Sequence, residues 1–254
     1  MNADIRVHGP IKNESKMKPL QTQNYRNIVV LTGAGVSAAS GLSTFRGPDG
    51  KWAHELLAVS DGRRVMEMLP EMWRAYGKAR AGLRGVEPNA AHLALANWQI
   101  KWGESRQITL VTQNVDGLHQ KAGSRDVTEI HGSLHESRCT NSDCDSQPFF
   151  DSQIPENVPL CAVCGAPLRP NITLFHEALP LDAITRVKRA LRDCDLFLAV
   201  GTSGVVSPAS DFVRGAKYAG ARTIYLNLSP LEGNSPFDEN IIGRAEEILP
   251  HWLD

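Results

Sequence analysis

Four cysteines carry the most specific chemistry in this 254-residue chain. Cys139, Cys144, Cys161 and Cys164 are spaced C-x4-C-x16-C-x2-C. Thiolates are soft ligands, and four of them satisfy a tetrahedral Zn2+ with no open position, so the pattern implies a structural zinc. A redox pair at Cys161 and Cys164 is disfavoured, because that C-x-x-C does not open a helix after a strand. Cys194, in RDCDLFL, reads as a small core residue. A second group, Gln113, Asn114 and Asp116, follows directly on the apolar run 107–112. Amides both donate and accept, and a carboxylate accepts from a carboxamide N–H2. His131 closes another short run and precedes Gly132. Histidine titrates near neutral pH and is the usual general base, although a histidine at a strand end, taken alone, is more often structural. Gly201-Thr202-Ser203 again ends an apolar run and offers small hydroxyls and N–H groups to a ribose or phosphate.

These groups are joined by a glycine-rich stretch. Ile28–Leu31 is a short β-branched run that reads as a buried strand. Gly33-Ala34-Gly35-Val36-Ser37-Ala38 then fits the dinucleotide fingerprint G-x-G-x-x-G/A, placed after a strand and before a helix. Glycine lets the backbone turn tightly and approach a pyrophosphate, which the N–H groups of the next helix would face. A dehydrogenase would place a second strand, ending in an acidic residue, about twenty residues on. Residues 47–64, GPDGKWAHELLAVSDGRR, contain no such strand, so a dinucleotide would be held differently.

The elements that must position these groups alternate. Strands are expected at 107–112, 127–130, 196–200 and 222–228, and helices at 71–84, from 89 onward, at 180–192 and at the end of the chain. Ser207-Pro208 is expected to open a further helix as N-cap and first residue. His92 reads as a packing or capping histidine. Strands apolar on both faces argue for a parallel sheet covered on both sides. Between 138 and 169 the composition turns to Ser, Asp, Pro and Cys, which reads as an inserted module. The expected organisation is a loose tail at 1–24, a main domain from 25–46, 89–137 and 170–254, a helical insertion at 47–88 and a zinc-binding module at 138–169.

Hydrophobic content of 42% and charged content of 22% are ordinary for a soluble globular protein. A net charge of −1 gives no bulk attraction to nucleic acid or anionic membrane. No apolar run approaches the roughly 20 residues that span a bilayer. The stretch 1–24 lacks the apolar core of a signal peptide, and Asp4 and Glu14 argue against a transit peptide. Clustered cysteines suit a reducing compartment, so a cytoplasmic location is expected.

Six motifs, GAGVSAASGLSTFRG (33–47), TQNVDGLH (112–119), IHG (130–132), the four cysteines, VGTSGVVSPA (200–209) and GRAEEILP (243–250), resemble those of the sirtuins, in that family's order and over nearly everything from residue 25. The resemblance implies a Rossmann-like α/β fold with a small zinc-binding module and a helical insertion, and NAD-dependent removal of acyl groups from protein lysines. NAD would contact Gly33, Ala34, Gly35, Ser37, Ala38, Thr44, Phe45, Arg46, Gln113, Asn114, Val115, Asp116, Gly201, Thr202, Ser203, Asn227 and Ala245. Asn114 and Asp116 would line the nicotinamide pocket, His131 would be the base, Phe45 a shield against water, and His119 would orient its loop. No role is assigned to His135. The acyl oxygen would attack C1′ of the nicotinamide ribose, giving nicotinamide, O-acyl-ADP-ribose and free lysine, with no metal in the chemistry.

The partner implied is an acyl-lysine protein or peptide, lying against Phe175, His176 and Glu177. The chain departs from the family in Ala39 where glutamate is common, Ser43 where proline is usual, and His176 where glycine stands. One sirtuin class, similar to this chain in EPNAAH (87–92), reads succinyl and malonyl groups with Tyr-x-x-Arg. Here Tyr76 matches the tyrosine, but Ala79 takes the arginine position and Arg80 follows, on the same helical face. Two other readings stand beside deacylation: an NAD glycohydrolase or mono-ADP-ribosyltransferase on the same fold, and a zinc-bearing module that senses NAD. The second of these has no use for a base.

Overall fold

The computed structural model describes residues 6–8, 18–43, 51–204, 206–231 and 233–253. In chain order its strands are β1 (Arg6–His8), β2 (Asn27–Thr32), β3 (Gln107–Thr112), β4 (Thr128–Glu129), β5 (Gly132–Cys139), β6 (Phe149–Phe150), β7 (Leu168–Ile172), β8 (Leu196–Val200), β9 (Arg222–Asn227) and β10 (Glu239–Ile242). Its helices are α1 (Ala34–Ser37), α2 (Lys51–Ala58), α3 (Leu69–Leu83), α4 (Ala90–Trp102), α5 (Leu118–Lys121), α6 (Leu181–Arg192), α7 (Phe212–Tyr218) and α8 (Ala245–Trp252).

The large sheet is parallel, in the order β1-β10-β9-β8-β2-β3-β4. The side on which strands are added reverses between β2 and β8: the chain first builds outward through β3 and β4, then returns to add β8, β9 and β10. Such a switch point opens a crevice beyond the strand ends, where α/β folds bind ligands. The two-residue period of β2 feeds both faces of the sheet. Ile28 and Val30 pack with Leu95 and Trp98 of α4 and Leu249 and Trp252 of α8, while Val29 and Leu31 pack with Val187 of α6 and Val213 of α7.

A second unit joins the helical and cysteine-bearing segments. β6-β5-β7 form a small antiparallel sheet. Met72, Tyr76 and Ala79 of α3 pack against Leu134 and Ile172 of that sheet, so the two insertions share one core. The sheet runs from Gly132 to Ile172, beyond the 138–169 expected for the module.

Two expectations change. Residues 1–24 are not all a loose tail: Arg6–His8 pair in parallel with β10, and Leu20 donates its N–H to Trp252 O at 2.7 Å. Trp98 Nε1 also donates to Thr22 Oγ1, 3.0 Å. Ser207 does not cap a helix. A 3-10 turn, Ala209–Asp211, intervenes before α7, and the Ser207 hydroxyl bonds Asp211 Oδ2 instead, at 3.1 Å.

Candidate active site

The loops after β2 and β8 meet at the switch point. Gly33 donates to Val200 O at 3.1 Å and Gly35 to Gly201 O at 2.8 Å. A Cβ on Gly35 would stand 2.8 Å from Gly201 Cα, and Gly201, at φ +61°, would drive one to 2.4 Å from Val36 N. The motif alone suggests that glycine serves approach to a pyrophosphate. The contact seen here is loop against loop, which gives these glycines a packing role of their own. The helix that follows is short, with α1 passing at Ala38 into a 3-10 turn. Ala34 is half-buried and Ala38 exposed beside it.

The β3 loop closes onto the same place. Gln113 Nε2 donates to Thr202 Oγ1, 2.8 Å, and Thr202 O accepts from Tyr225 OH at 2.9 Å and Asn227 Nδ2 at 3.0 Å. Asn114 Nδ2 donates to Gly33 O, 3.1 Å, and to Ser37 Oγ, 3.0 Å. The Ser37 hydroxyl donates to Asp116 Oδ2 at 2.6 Å, and Asp116 Oδ1 accepts from Leu118 N at 2.9 Å. An ionised carboxylate has about four acceptor positions, so Asp116 retains capacity for a carboxamide N–H2. Val115 O holds Leu134 N at 2.9 Å. Ser203 adjoins Thr202 in the same loop, and Ala245 begins α8 with its methyl buried.

His131 stands beside this group. Its Nδ1 lies 3.0 Å from Gln113 O, which can only accept, so Nδ1 carries the proton and Nε2 presents a lone pair. Burial pushes its pKa below the ordinary histidine value, against the opposing pull of the Gln113 carbonyl. Two further histidines are buried and neutral. His92 completes a capping box at Asn89, its Nδ1 lying 3.3 Å from the Asn89 N, a reciprocal arrangement that satisfies helix-end donors. His119 Nε2 lies 2.9 Å from Thr32 Oγ1. Desolvation lowers them to about 4 and about 3.

Thr44, Phe45 and Arg46 lie outside the described residues. Among the residues expected along the substrate path, Phe175 is exposed and His176 has φ +68°. Its left-handed backbone explains why glycine suits that position. Glu177 does not face a substrate with a free carboxylate: it binds Arg169 at 2.5 Å, Arg138 at 3.4 Å and Leu174 N at 2.8 Å. Arg138 and Arg169 sit directly opposite each other on β5 and β7, and Glu177 offsets that repulsion.

Arg80 is bonded within the fold. A guanidinium has five N–H donors, and here every one is engaged. Nε donates to Leu134 O at 2.7 Å, and Nη1 to Gln153 O at 2.8 Å and Asp151 Oδ2 at 3.2 Å. Nη2 donates to Glu136 O at 2.8 Å and Ser137 Oγ at 3.0 Å. At 5% exposure it has no group left for an acyl carboxylate. Tyr76 is buried too, with its hydroxyl 3.0 Å from Ser60 Oγ.

The four clustered cysteines converge as expected. Their Sγ atoms all lie within 4.8 Å of one another, with Cys139–Cys164 at 3.5 Å and Cys144–Cys161 at 3.8 Å. A tetrahedron with Zn–S bonds of about 2.3 Å needs S···S separations of roughly 3.8 Å. Backbone N–H groups of Asn141 and Ser146 point at Cys139 and Cys144, as suits thiolate acceptors. Cys194 is buried elsewhere, with its thiol pushed up to about 12 by burial.

A model of the Sir2 family matches residues 33–208. The chain belongs to the Sir2 family. An NAD-dependent protein deacylase of Pasteurella multocida is 42% identical over 232 residues, covering 89% of this chain and 96% of its own. A Leishmania major deacylase is 39% identical, covering 90% and 95%. A Sir2 homologue solved as an NAD complex superposes with a TM-score of 0.83 at 34% identity, covering 97% of this chain and 94% of its own. A Sir2–p53 peptide–NAD+ structure gives 0.75 at 29% identity, covering 89% and 92%.

The sequence reading gave no part to His135, to the paired hydroxyls of Thr32 and Thr112, or to Tyr225. Tyr225 had a signal, since it lies two residues before Asn227 on the same face of β9. His135 had none.

Proposed function

We propose that this protein is an NAD-dependent protein-lysine deacylase. The observation that carries the reading is the Nδ1–Gln113 O bond of His131. It fixes an unprotonated Nε2 beside a loop, Gln113–Asp116, whose amides and carboxylate suit a carboxamide. NAD supplies an ADP-ribosyl group that accepts the acyl oxygen as nicotinamide departs. Gly33, Ala34, Gly35, Ser37, Ala38, Gly201, Thr202, Ser203, Asn227 and Ala245 would hold its adenosine and phosphates, and Thr44, Phe45 and Arg46 would be further NAD contacts. Asn114, Val115 and Asp116 would hold the carboxamide, Asp116 accepting from its N–H2. His131 would take a proton from a ribose hydroxyl, the step for which a buried, neutral imidazole is suited. The substrate backbone would pair near Phe175 and His176 as an added strand. With Arg80 committed to main-chain carbonyls, uncharged acyl groups are favoured over succinyl or malonyl. The four cysteines would hold one structural zinc. That use of cysteine supports a cytoplasmic enzyme, and no helix among the described residues is long and apolar enough to cross a membrane.

The test is NAD consumption with and without an acetyl-lysine peptide. Peptide-dependent release of nicotinamide and O-acetyl-ADP-ribose is expected. Equal turnover without peptide would mark a glycohydrolase instead.

A further inference from the structure

His135 belongs to no motif, yet three features converge on it. First, it sits in a β-bulge. β5 and β7 pair at Ser133–Asn171 and again at Ser137–Pro170, so β7 advances one residue while β5 inserts Leu134, His135 and Glu136. Bulges re-aim side chains and gather beside active sites. Second, the bulge is propped from outside the sheet. Arg80 of α3 takes two of its carbonyls, Leu134 O and Glu136 O, while His135 O is taken within the sheet by Asp151 N, the residue after β6, at 2.7 Å. Third, the re-aimed ring lands on the carboxamide-reading loop. His135 Nε2 lies 3.1 Å from Asp116 O, so it donates there, and the ring fits against Gly117, where a Cβ would stand 2.8 Å from its Cδ2. The ring is also stacked near-parallel on Phe150, with centroids 6.4 Å apart.

We infer that His135 is a positioning residue for the reaction. It latches the Gln113–Gly117 loop to the cysteine-bearing unit, so that Asp116 and Asn114 hold the orientation in which they grip a carboxamide. The inference rests on the deacylase reading for its kinetic part only. Asp116 is bonded through its side chain to Ser37 and Leu118, but its main-chain carbonyl is held by His135 from another unit of the fold. Without that hold the bonds to Ser37, Leu118 and Leu134 N keep the loop formed, but the 116–117 peptide, beside Gly117 at φ +70°, loses one of its restraints.

The test uses His135→Phe, which keeps an aromatic ring on Phe150 and removes the donor, and His135→Gln, whose amide N–H reaches a similar distance. His135→Phe should retain the wild-type melting temperature within a few degrees. It should raise both the KM for NAD and the nicotinamide inhibition constant by roughly 3- to 10-fold, one hydrogen bond's worth, and leave the KM for acyl-peptide unchanged. His135→Gln should recover most of the difference. Amide hydrogen exchange across 113–118, without any substrate, should be faster in His135→Phe than in wild type or His135→Gln. Unchanged exchange overturns the latch whatever the reaction is. Faster exchange with unchanged nicotinamide inhibition, or equal loss in both variants, overturns the positioning role. Wild-type protein that shows no peptide-dependent NAD turnover overturns the deacylase reading and leaves the exchange result to decide the latch alone.

Discussion

At the scale of single residues, His131 and His176 each carry an argument that one substitution checks. His131→Ala should retain NAD binding and the fold but lower deacylation by about 10²–10⁴, the usual worth of a general base; turnover at the wild-type rate would remove His131 from the chemistry. The pH profile follows from its environment. The base form is the neutral one, which persists above the pKa and is lost as pH falls through it. Because burial lowers that pKa, the acidic limb of activity should lie below the ordinary histidine value and vanish in His131→Ala. His176 has a left-handed backbone, a conformation that costs a non-glycine residue roughly 1–2 kcal/mol. Glycine there would relieve the strain but give back part of it as chain entropy, so His176→Gly should stabilise by up to about 1 kcal/mol in urea unfolding. A loss of stability would show that the imidazole makes a contact worth more than the strain. From sequence, His131 was legible because it closes a strand inside a recognisable motif. His176 stood out only as a departure from glycine, and its backbone angle supplies the reason.

Elements were legible where periodicity was strong and lost where a single side chain decided the geometry. β3 and β8 fall at the expected residues, and α6 begins one residue late, because apolar runs and an amphipathic face announce them. The bulge in β5 has no such signal. Nothing in GSLHESRC tells that three residues will be extruded, since the cause is a guanidinium from α3 that caps the extruded carbonyls. Helical spacing correctly put Arg80 on the face of Tyr76, but that face meets β5 rather than solvent. Removing the guanidinium leaves buried carbonyls without donors and the Asp151 carboxylate without its cation, a loss on the order of 3–5 kcal/mol. Arg80→Met should therefore depress acetyl- and succinyl-lysine turnover together and lower the melting temperature. Selective loss of desuccinylation in a variant of unchanged stability would restore Arg80 as a reader of acyl carboxylates.

Across the whole molecule, the cysteine cluster is tied to the strand that follows His131 by packing rather than by charge. Trp73 of α3 packs on Cys161 and Leu168, and its Nε1 donates to Leu168 O at 2.9 Å. The same helix carries Tyr76 and Arg80, and β5 runs from Gly132, next to His131, to Cys139. The sequence revealed both ends of this path, the cysteines and the histidine, but divided them between separate modules because composition changes sharply at 138. The antiparallel pairing of β5 with β7 crosses that boundary, and β5 runs from the residue after His131 to the first of the four cysteines, Cys139. One zinc per chain is expected by metal analysis. Ligation at four thiolates is worth on the order of 10 kcal/mol and is coupled to folding of the segment that supplies them, while the parallel sheet has its own core on both faces. A strong chelator should thus remove zinc, melt the small sheet and abolish activity, yet leave most of the far-ultraviolet circular dichroism of the large domain. Trp73 should report the change as a fluorescence shift that is absent from Trp73→Phe. Active protein free of zinc, or a chelated form with unchanged Trp73 emission, would show that the cysteine unit stands without metal and that its packing on α3 alone holds β5 in place.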